Sequence, residues 1–231
     1  MRLFDGQRAW VVQRISALLL QVLHPLALAG VWDHSTFRQD IIGRLRRTSQ
    51  FISGTTFGST RDADWLIEKV RTLHLQVVGT AADGRPYAAR DPDQLTWVHV
   101  AEVSSFMAAH LRYRNPHLSA ADQDAYYTEI AQVAERLGAR DVPRTRQAVA
   151  DYLQAMRPHL LCDARSREVV RVLLAAPAPS RLAKPVANLM MQAGMTPAVM
   201  TTLAAMIPAG MMTRRAAVTT PASPASAPAM A

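Results

Sequence analysis

The sequence predicts an all-α fold, a single-domain bundle of several helices. Of the 231 residues, 49% are apolar, a share that allows one sizeable buried core. Aromatic residues make up only 6%, while Ala and Leu are frequent, a composition that favours helices over strands. Apolar residues also recur at spacings of three and four, as on one face of a helix. We therefore expect strands to be few or absent.

The first predicted helix covers 7–23 and ends near a proline. Pro25 lacks a backbone donor and disfavours helical geometry at the residue before it, so His24 marks a kink or a helix end. The stretch 15–32 is uncharged over 18 residues, close to the lower limit for a membrane span. Because Gln21, His24 and Pro25 interrupt its centre, a buried helix of a globular protein is the better interpretation.

A second helix is predicted after Asp33, whose carboxylate can cap its first turn. One face of it carries residues at spacings of four, four and three: Phe37, Ile41, Leu45 and Thr48. Arg44, Arg47 and Thr48 stand at i, i+3 and i+4, so they are neighbours on the helix surface. Without further information, such a basic cluster is as readily a solvated face as a binding site.

The third predicted helix follows a segment, 51–64, that is rich in Gly, Ser and Thr and is expected to form a loop. Ser59 or Thr60 is the candidate N-cap, since acidic residues follow it. The helix has an apolar face with spacings of four, three and four, made of Leu66, Val70, Leu73 and Val77. His74 follows Val70 by four residues, so we expect its imidazole to point inward beside that face.

The chain then passes through a turn-rich connection, 83–93, in which Tyr87 could reach back into a pocket. A fourth helix carries His99 and Glu102 at i and i+3, on one face. Further helices are predicted over 120–137, 143–156 and 165–175, the second of them with a proline in its first turn. His110, His117 and His159 are expected at the surface.

The C-terminal part changes character. Residues 182–212 are rich in Ala, Met and Leu, and core packing is the favoured role for such a segment. It could also cover the pocket, contact another protomer or touch lipid at a membrane surface. Residues 216–231 lack the apolar bulk to fold and are predicted to be a disordered tail, which leaves 1–215 as the folded domain.

Charge and cysteine content exclude several classes. The formal net charge is +8, but the arginines are scattered rather than arranged in a basic stripe, so we expect no nucleic-acid binding. A single cysteine, Cys162, excludes an internal disulfide and any Cys-based zinc or iron–sulfur site, and it indicates a reducing compartment. No secretory signal is recognisable. The expected location is cytoplasmic, with peripheral membrane contact through 182–212 left open.

One ordered set of motifs resembles a known family. The set consists of QVLHPLALAGVWDHSTFRQDIIGRLRRTSQFISGTTFG at 21–58, His74 in VRTLHLQVVG, Tyr87 in YAARDP and His99 in WVHV. It is similar to the DUF2236 family, the domain shared by latex-clearing (rubber) oxygenases and MpaB-type oxygenases, which are b-type haem proteins. The resemblance runs over about residues 14–113. It implies an all-helical domain that encloses a haem pocket.

The resemblance also implies roles for individual residues. His74 matches the family's proximal iron ligand, a role that suits a neutral imidazole held by an apolar helix. Arg44, Arg47 and Thr48 match a polar cluster beside the haem, where they could pair with propionates or stabilise negative charge on oxygen. The rubber-oxygenase branch has lysine where Arg47 stands. Because arginine does not give up its proton, we expect no ligand of that kind to iron here.

Three more residues complete the expected surroundings of the cofactor, namely His34, Tyr87 and His99. His34 follows Asp33, so it either forms an Asp/His pair near the haem edge or caps the second helix. His24 is expected to close the kink before Pro25 rather than bind metal.

The function expected from the resemblance is that of a haem b-dependent oxygenase. It would use dioxygen or peroxide on an apolar or small organic substrate. Two alternatives stay open, a non-catalytic haem-binding or membrane-peripheral protein, and a non-haem iron oxygenase with His74, His99 and Glu102 as ligands. The sequence leaves the substrate and the oligomeric state open.

Overall fold

A computed structural model describes residues 16–174, which are mostly helical. The helices are α1 (residues 16–21, its described part), α2 (Pro25–His34), α3 (Ile41–Phe57), α4 (Thr60–Leu75), α5 (Pro92–Tyr113), α6 (Ala120–Leu137), α7 (Arg146–Met156) and α8 (Ala164–Leu174). A short 3₁₀ helix (Arg157–His159) follows α7, and two strands, β1 (Val78–Thr80) and β2 (Pro86–Ala88), pair antiparallel. The prediction of an all-α fold with few strands is confirmed.

The break between α1 and α2 lies where the sequence predicts it. His24 has extended backbone angles, φ −85° and ψ 116°, and its Nδ1 accepts a hydrogen bond from the backbone N–H of Ala27 at 3.3 Å. Pro25 occupies the first turn of α2, where its missing N–H leaves no bond unmade. Among the described residues, no helix is both long and apolar enough to cross a membrane.

Helix α3 begins later than predicted. Its N-cap is Asp40, whose Oδ1 accepts from the N–H of Gly43 at 2.7 Å, so Asp33 does not cap it. Phe37 lies before the helix and is buried in the core, with only 1% of its surface exposed. Asp33 and Asp40 are equally good N-caps by residue type, so the local sequence does not tell which of them begins the helix.

The predicted loop over 51–64 is wrong for all but Gly58 and Ser59, because α3 continues to Phe57 and α4 begins at Thr60. Within α3 the hydroxyl of Thr55 donates to the carbonyl of Phe51, one turn earlier, at 2.9 Å. Gly54 lets α4 approach, since a Cβ there would lie 2.2 Å from Cδ1 of Leu66. Ser59 caps α4 as predicted, by accepting from the N–H of Asp62.

The connection after α4 is a β-hairpin rather than turns alone. Val77 lies beyond the end of α4, and β1 pairs with β2 in a register that sets Gly79 opposite Tyr87. The turn contains Gly84 with φ +85°, a left-handed conformation that glycine adopts without strain. Asp91 then caps α5, with Pro92 in its first turn.

Helix α5 forms the centre of the core. Trp97, Val100 and Ala101 on it are fully buried. It contacts α6 and α7, and its cluster around Trp97 includes Leu19 and Leu173 of α1 and α8. Helix α6 has the predicted bounds, and α8 begins one residue earlier than predicted. Helix α7 begins at Arg146, where Thr145 is its N-cap, rather than at the proline that was predicted to open it. The predictions for 182–212, for the tail 216–231 and for the domain boundary at 215 lie outside the described residues.

Candidate functional site

Six of the seven residues predicted for the site line one large cleft, with a volume of about 1450 Å³. These six are His34, Arg44, Arg47, Thr48, His74 and His99. They come from four different helices and are up to 65 residues apart in the chain, from His34 to His99. The seventh, Tyr87, lines a smaller adjoining cavity of about 200 Å³, which also borders His34, Arg44 and His74.

Helix α3 provides a polar wall of the cleft. Arg44 is half-buried and donates from Nη1 to the hydroxyl oxygen of Ser35 at 2.9 Å. Burial, and then the charge of Arg47, lowers the pKa of Arg44. Arg47 is exposed, with its Nη1 3.5 Å from Oδ2 of Asp40, and Thr48 is exposed beside it. The three side chains therefore offer cationic and hydroxyl donors to the cleft, and Arg44 is the most buried of them.

Two imidazoles line the cleft with a buried ring nitrogen that has no hydrogen-bond partner within residues 16–174. These atoms are Nδ1 of His74, on α4, and Nε2 of His99, on α5. Burial lowers the pKa of both rings, to about 4 for His99, so the neutral form is favoured. Leaving a buried polar atom unpaired costs about 1–3 kcal/mol. A third such atom, Nε1 of Trp97, belongs to the core and not to the cleft wall.

The hairpin is tied to the end of α2 through Tyr87. Its hydroxyl donates to Oδ2 of Asp33 at 2.7 Å, and burial together with this bond and the carboxylate charge raises the pKa of Tyr87 to about 12. Nε2 of His34 lies 3.2 Å from the carbonyl oxygen of Val78, and its ring packs edge-on against Tyr87. Because Asp40 is the N-cap of α3, His34 does not cap that helix, which was one of the two roles predicted for it. Tyr87 therefore helps to fix the position of α2 relative to the hairpin.

The three residues considered for a non-haem iron site do not form a ligand set. His74, His99 and Glu102 all line the cleft. Within the part of the chain that the structure describes, however, no three His, Cys, Asp or Glu side chains are grouped closely enough to hold a metal ion.

Sequence reasoning missed the second half of the cleft, along α5 and α6. His110 was predicted at the surface, but it is half-buried and lines the cleft with Phe106, Arg114 and Tyr126. The signal was present, because His99, Glu102, Phe106, His110 and Arg114 follow one another at spacings of three or four. This spacing indicates one helix face, but it does not show which elements pack against that face.

Comparison with known proteins gives one match. A family model described as "ER-bound oxygenase mpaB/B'/Rubber oxygenase, catalytic domain" matches residues 2–222. No curated protein and no solved structure matches the chain. The match extends well beyond the stretch of about residues 14–113 that carries the sequence motifs.

Proposed function

The chain belongs to the mpaB/rubber oxygenase catalytic-domain family, and on that premise we propose that it is a haem b-dependent oxygenase. It would use dioxygen or peroxide to oxidise an apolar or small organic substrate. The observation that carries the proposal is the pair of neutral imidazoles, each with an unpartnered buried nitrogen, on the wall of a large cleft that also bears a basic cluster.

The residues of the cleft fit haem b. A neutral imidazole on a helix is the usual protein ligand of haem iron, and His74 is our candidate for that role. His99 offers a second buried nitrogen in the same cleft, so it is the residue against which His74 must be tested. Arg44 and Arg47 carry the positive charge that haem carboxylates require. When bound, haem b supplies a redox-active iron centre for oxygen activation.

The hydrogen-bond donors of α3 would stabilise negative charge that develops on oxygen. The guanidinium of Arg44 is held by Ser35, so its position does not depend on a bound ligand. Arg47 and Thr48 lie one turn along the same face and add a permanent cation and a hydroxyl donor. Donors fixed before reaction stabilise negative charge that develops on oxygen without first reorganising.

The rest of the cleft lining favours an apolar substrate. Most of the accessible lining is carbon, and it includes Phe51 and Ile52 on α3 and Val98 and Val103 on α5. Such apolar walls give a hydrocarbon a favourable place to bind.

The test is an absorption spectrum of the full chain produced with haem precursor. We expect a Soret band in the wild type, a lost or much weaker band in His74→Ala, and a retained band in His99→Ala. His117→Ala is the matched control, because His117 is exposed and lies off the cleft. The opposite pattern for His74 and His99 would move the ligand to His99.

A wild-type protein without a Soret band after reconstitution would contradict the haem proposal, and metal analysis would then test for non-haem iron. Where haem binds, the uptake of dioxygen or peroxide in the presence of candidate substrates tests the oxygenase activity. Arg47→Gln should reduce turnover with the Soret band intact, by up to roughly 100- to 1,000-fold, the loss seen when one donor that stabilises an oxyanion is removed.

A non-catalytic or membrane-peripheral role is the second candidate, and exposed apolar side chains favour it. Phe57, Trp65 and Leu73, on α3 and α4, are 81%, 60% and 54% exposed. Co-sedimentation with anionic vesicles tests this role, and haem binding without oxidant-dependent turnover would favour it over the oxygenase. We propose a cytoplasmic location, where any contact with a membrane is peripheral.

A further inference from the structure

The cleft is longer than the cluster of predicted site residues. Its lining on α5 runs from Leu95 past His99 to Arg114. His99 and Arg114 are fifteen positions apart, which at the rise of an α-helix is about 22 Å. Helix α6 packs antiparallel alongside, with Ala134 near Leu95 and Tyr127 near Met107. The cleft therefore has a far end, well away from the two unpartnered imidazoles.

The stretch between the two ends is apolar. On α5 it presents Phe106 and Met107, and on α6 it presents Tyr126, Ile130 and Val133. These side chains offer no cation and no carboxylate, so they suit a hydrocarbon chain that lies along the helix axis. At the imidazole end, the cations Arg44 and Arg47 are already assigned to the haem carboxylates, so the acid group of a substrate is expected elsewhere in the cleft.

The far end of the cleft carries an arginine. Arg114, the C-cap residue of α5, lines the cleft together with His110, and its guanidinium takes part in no ion pair within residues 16–174. The acidic residue there, Asp122, lies in the first turn of α6, where the positive helix N-terminus offsets part of its charge, and its Oδ2 accepts from the hydroxyl of Ser119 at 2.7 Å. A negative helix C-terminus accounts for a cation at position 114 but not for its place on the cleft wall.

We infer that the far end of the cleft binds the carboxylate of a long apolar substrate, with Arg114 as its ion-pair partner and His110 beside it. The hydrocarbon then runs along Phe106 and Ile130 toward His99 and His74. This orientation places the acid group far from the candidate iron ligand and the chain near it. As a statement about a substrate, the inference rests on the proposed oxygenase function, but the binding of the acid does not require turnover.

The test compares dodecanoic acid with dodecanol as competitors of a fluorescent fatty acid, on the full chain with and without haem. The two probes share one chain and differ in charge, so their ratio reports the head-group site alone. We expect the wild type to bind the acid roughly 3- to 10-fold more tightly than the alcohol, the scale of one charge-assisted contact at a partly exposed site.

Arg114→Gln should remove this preference while the affinity for dodecanol stays unchanged. Arg112→Gln is the matched control, because Arg112 lies in the last turn of α5, stacks near the ring of Tyr113 and does not line the cleft. This substitution changes the net charge and the charge at the end of α5 as Arg114→Gln does, but it leaves the cleft wall unchanged. The preference for the acid should therefore remain.

Equal affinity for acid and alcohol in the wild type would overturn the inference, and so would an equal loss of preference in Arg112→Gln. Absence of binding by either probe would also overturn it. A Soret band without acid preference contradicts only the head-group site, whereas acid preference without a Soret band contradicts only the haem proposal.

Discussion

At the scale of single residues, burial and partners separate histidines that the sequence presents alike. His24 accepts from the backbone of Ala27 and lies 6.0 Å from the ring of Trp97, so it has a structural role. His74 and His99 each keep a buried nitrogen without a partner on the cleft wall. That difference, rather than the residue type, marks the second pair as candidates for ligand binding.

The structural role of His24 predicts a loss of stability in acid. Burial, followed by the positive charges of Arg85 and His159, lowers its pKa from 6.5 to about 4, against the opposing charge of Asp91. Because the folded state favours the neutral ring, the stabilisation is complete above about pH 6.5 and is lost as the pH falls toward 4. Protonation also removes the acceptor that caps α2.

Urea unfolding of wild type and His24→Asn at about pH 7.5 and about pH 4.5 tests this. Asparagine keeps a capping oxygen but does not titrate, so the variant should lose less free energy of unfolding on acidification, by up to roughly 2–3 kcal/mol. Exposed His117→Asn is the control and should follow the wild type. Equal acid sensitivity in wild type and His24→Asn would refute the assignment.

At the scale of elements, α3 shows how one cap positions a functional face. Asp40 holds the N–H of Gly43 and lies 3.5 Å from Arg47, so the start of the helix and the cleft cation share one carboxylate. A Cβ at position 43 would lie 1.8 Å from Oδ2 of Asp40, so with any other residue there the carboxylate would have to turn to keep the cap. The cap therefore sets where Arg44, Arg47 and Thr48 begin.

Asp40→Ala should lower the free energy of unfolding by about 1 kcal/mol, the usual loss when an N-cap is removed. Asp40→Asn keeps the capping oxygen and should cost only a few tenths, since the exposed contact with Arg47 is weak. Urea titrations of the three proteins give the comparison. Similar losses in both variants would show that the ion pair and not the cap supports α3.

At the scale of the whole molecule, α5 joins the parts that the cleft separates. Its Trp97 packs with Leu19 of α1 and Leu173 of α8, while Val103 and Met107 pack with Tyr127 of α6. The cleft runs along the face of α5 beside these clusters. The last described helix, α8, therefore stabilises the site without lining it, whereas α1 also reaches the cleft through Gln21.

Leu173→Ala should lower the free energy of unfolding by about 2–5 kcal/mol, because Leu173 is buried to 1% exposure and its removal leaves a cavity. Leu161→Ala serves as the control, since this leucine is 40% exposed and should cost much less. Thermal and urea unfolding measure both. Equal effects would mean that α8 does not belong to the common core.

The structure shows why part of the local reading failed. The Gly, Ser and Thr residues of 51–57 weaken a helix in isolation, but α4 packs closely over Gly54 and holds it in α3. Similarly, nothing local prefers Asp40 over Asp33 as the cap, and the burial of Phe37 decides between them. Tertiary contacts override propensity at both places.

By itself, the sequence determined the helical class, the break at His24, the cap at Ser59 and the polar residues worth testing. These features follow from spacing, from proline and from capping chemistry, all of which act within a few residues. Only the tertiary structure decided that Arg47, His74 and His99 share one cleft, and that it continues to Arg114. Periodicity defines the apolar face of each helix separately, whereas a cleft exists only where the faces of several packed helices meet.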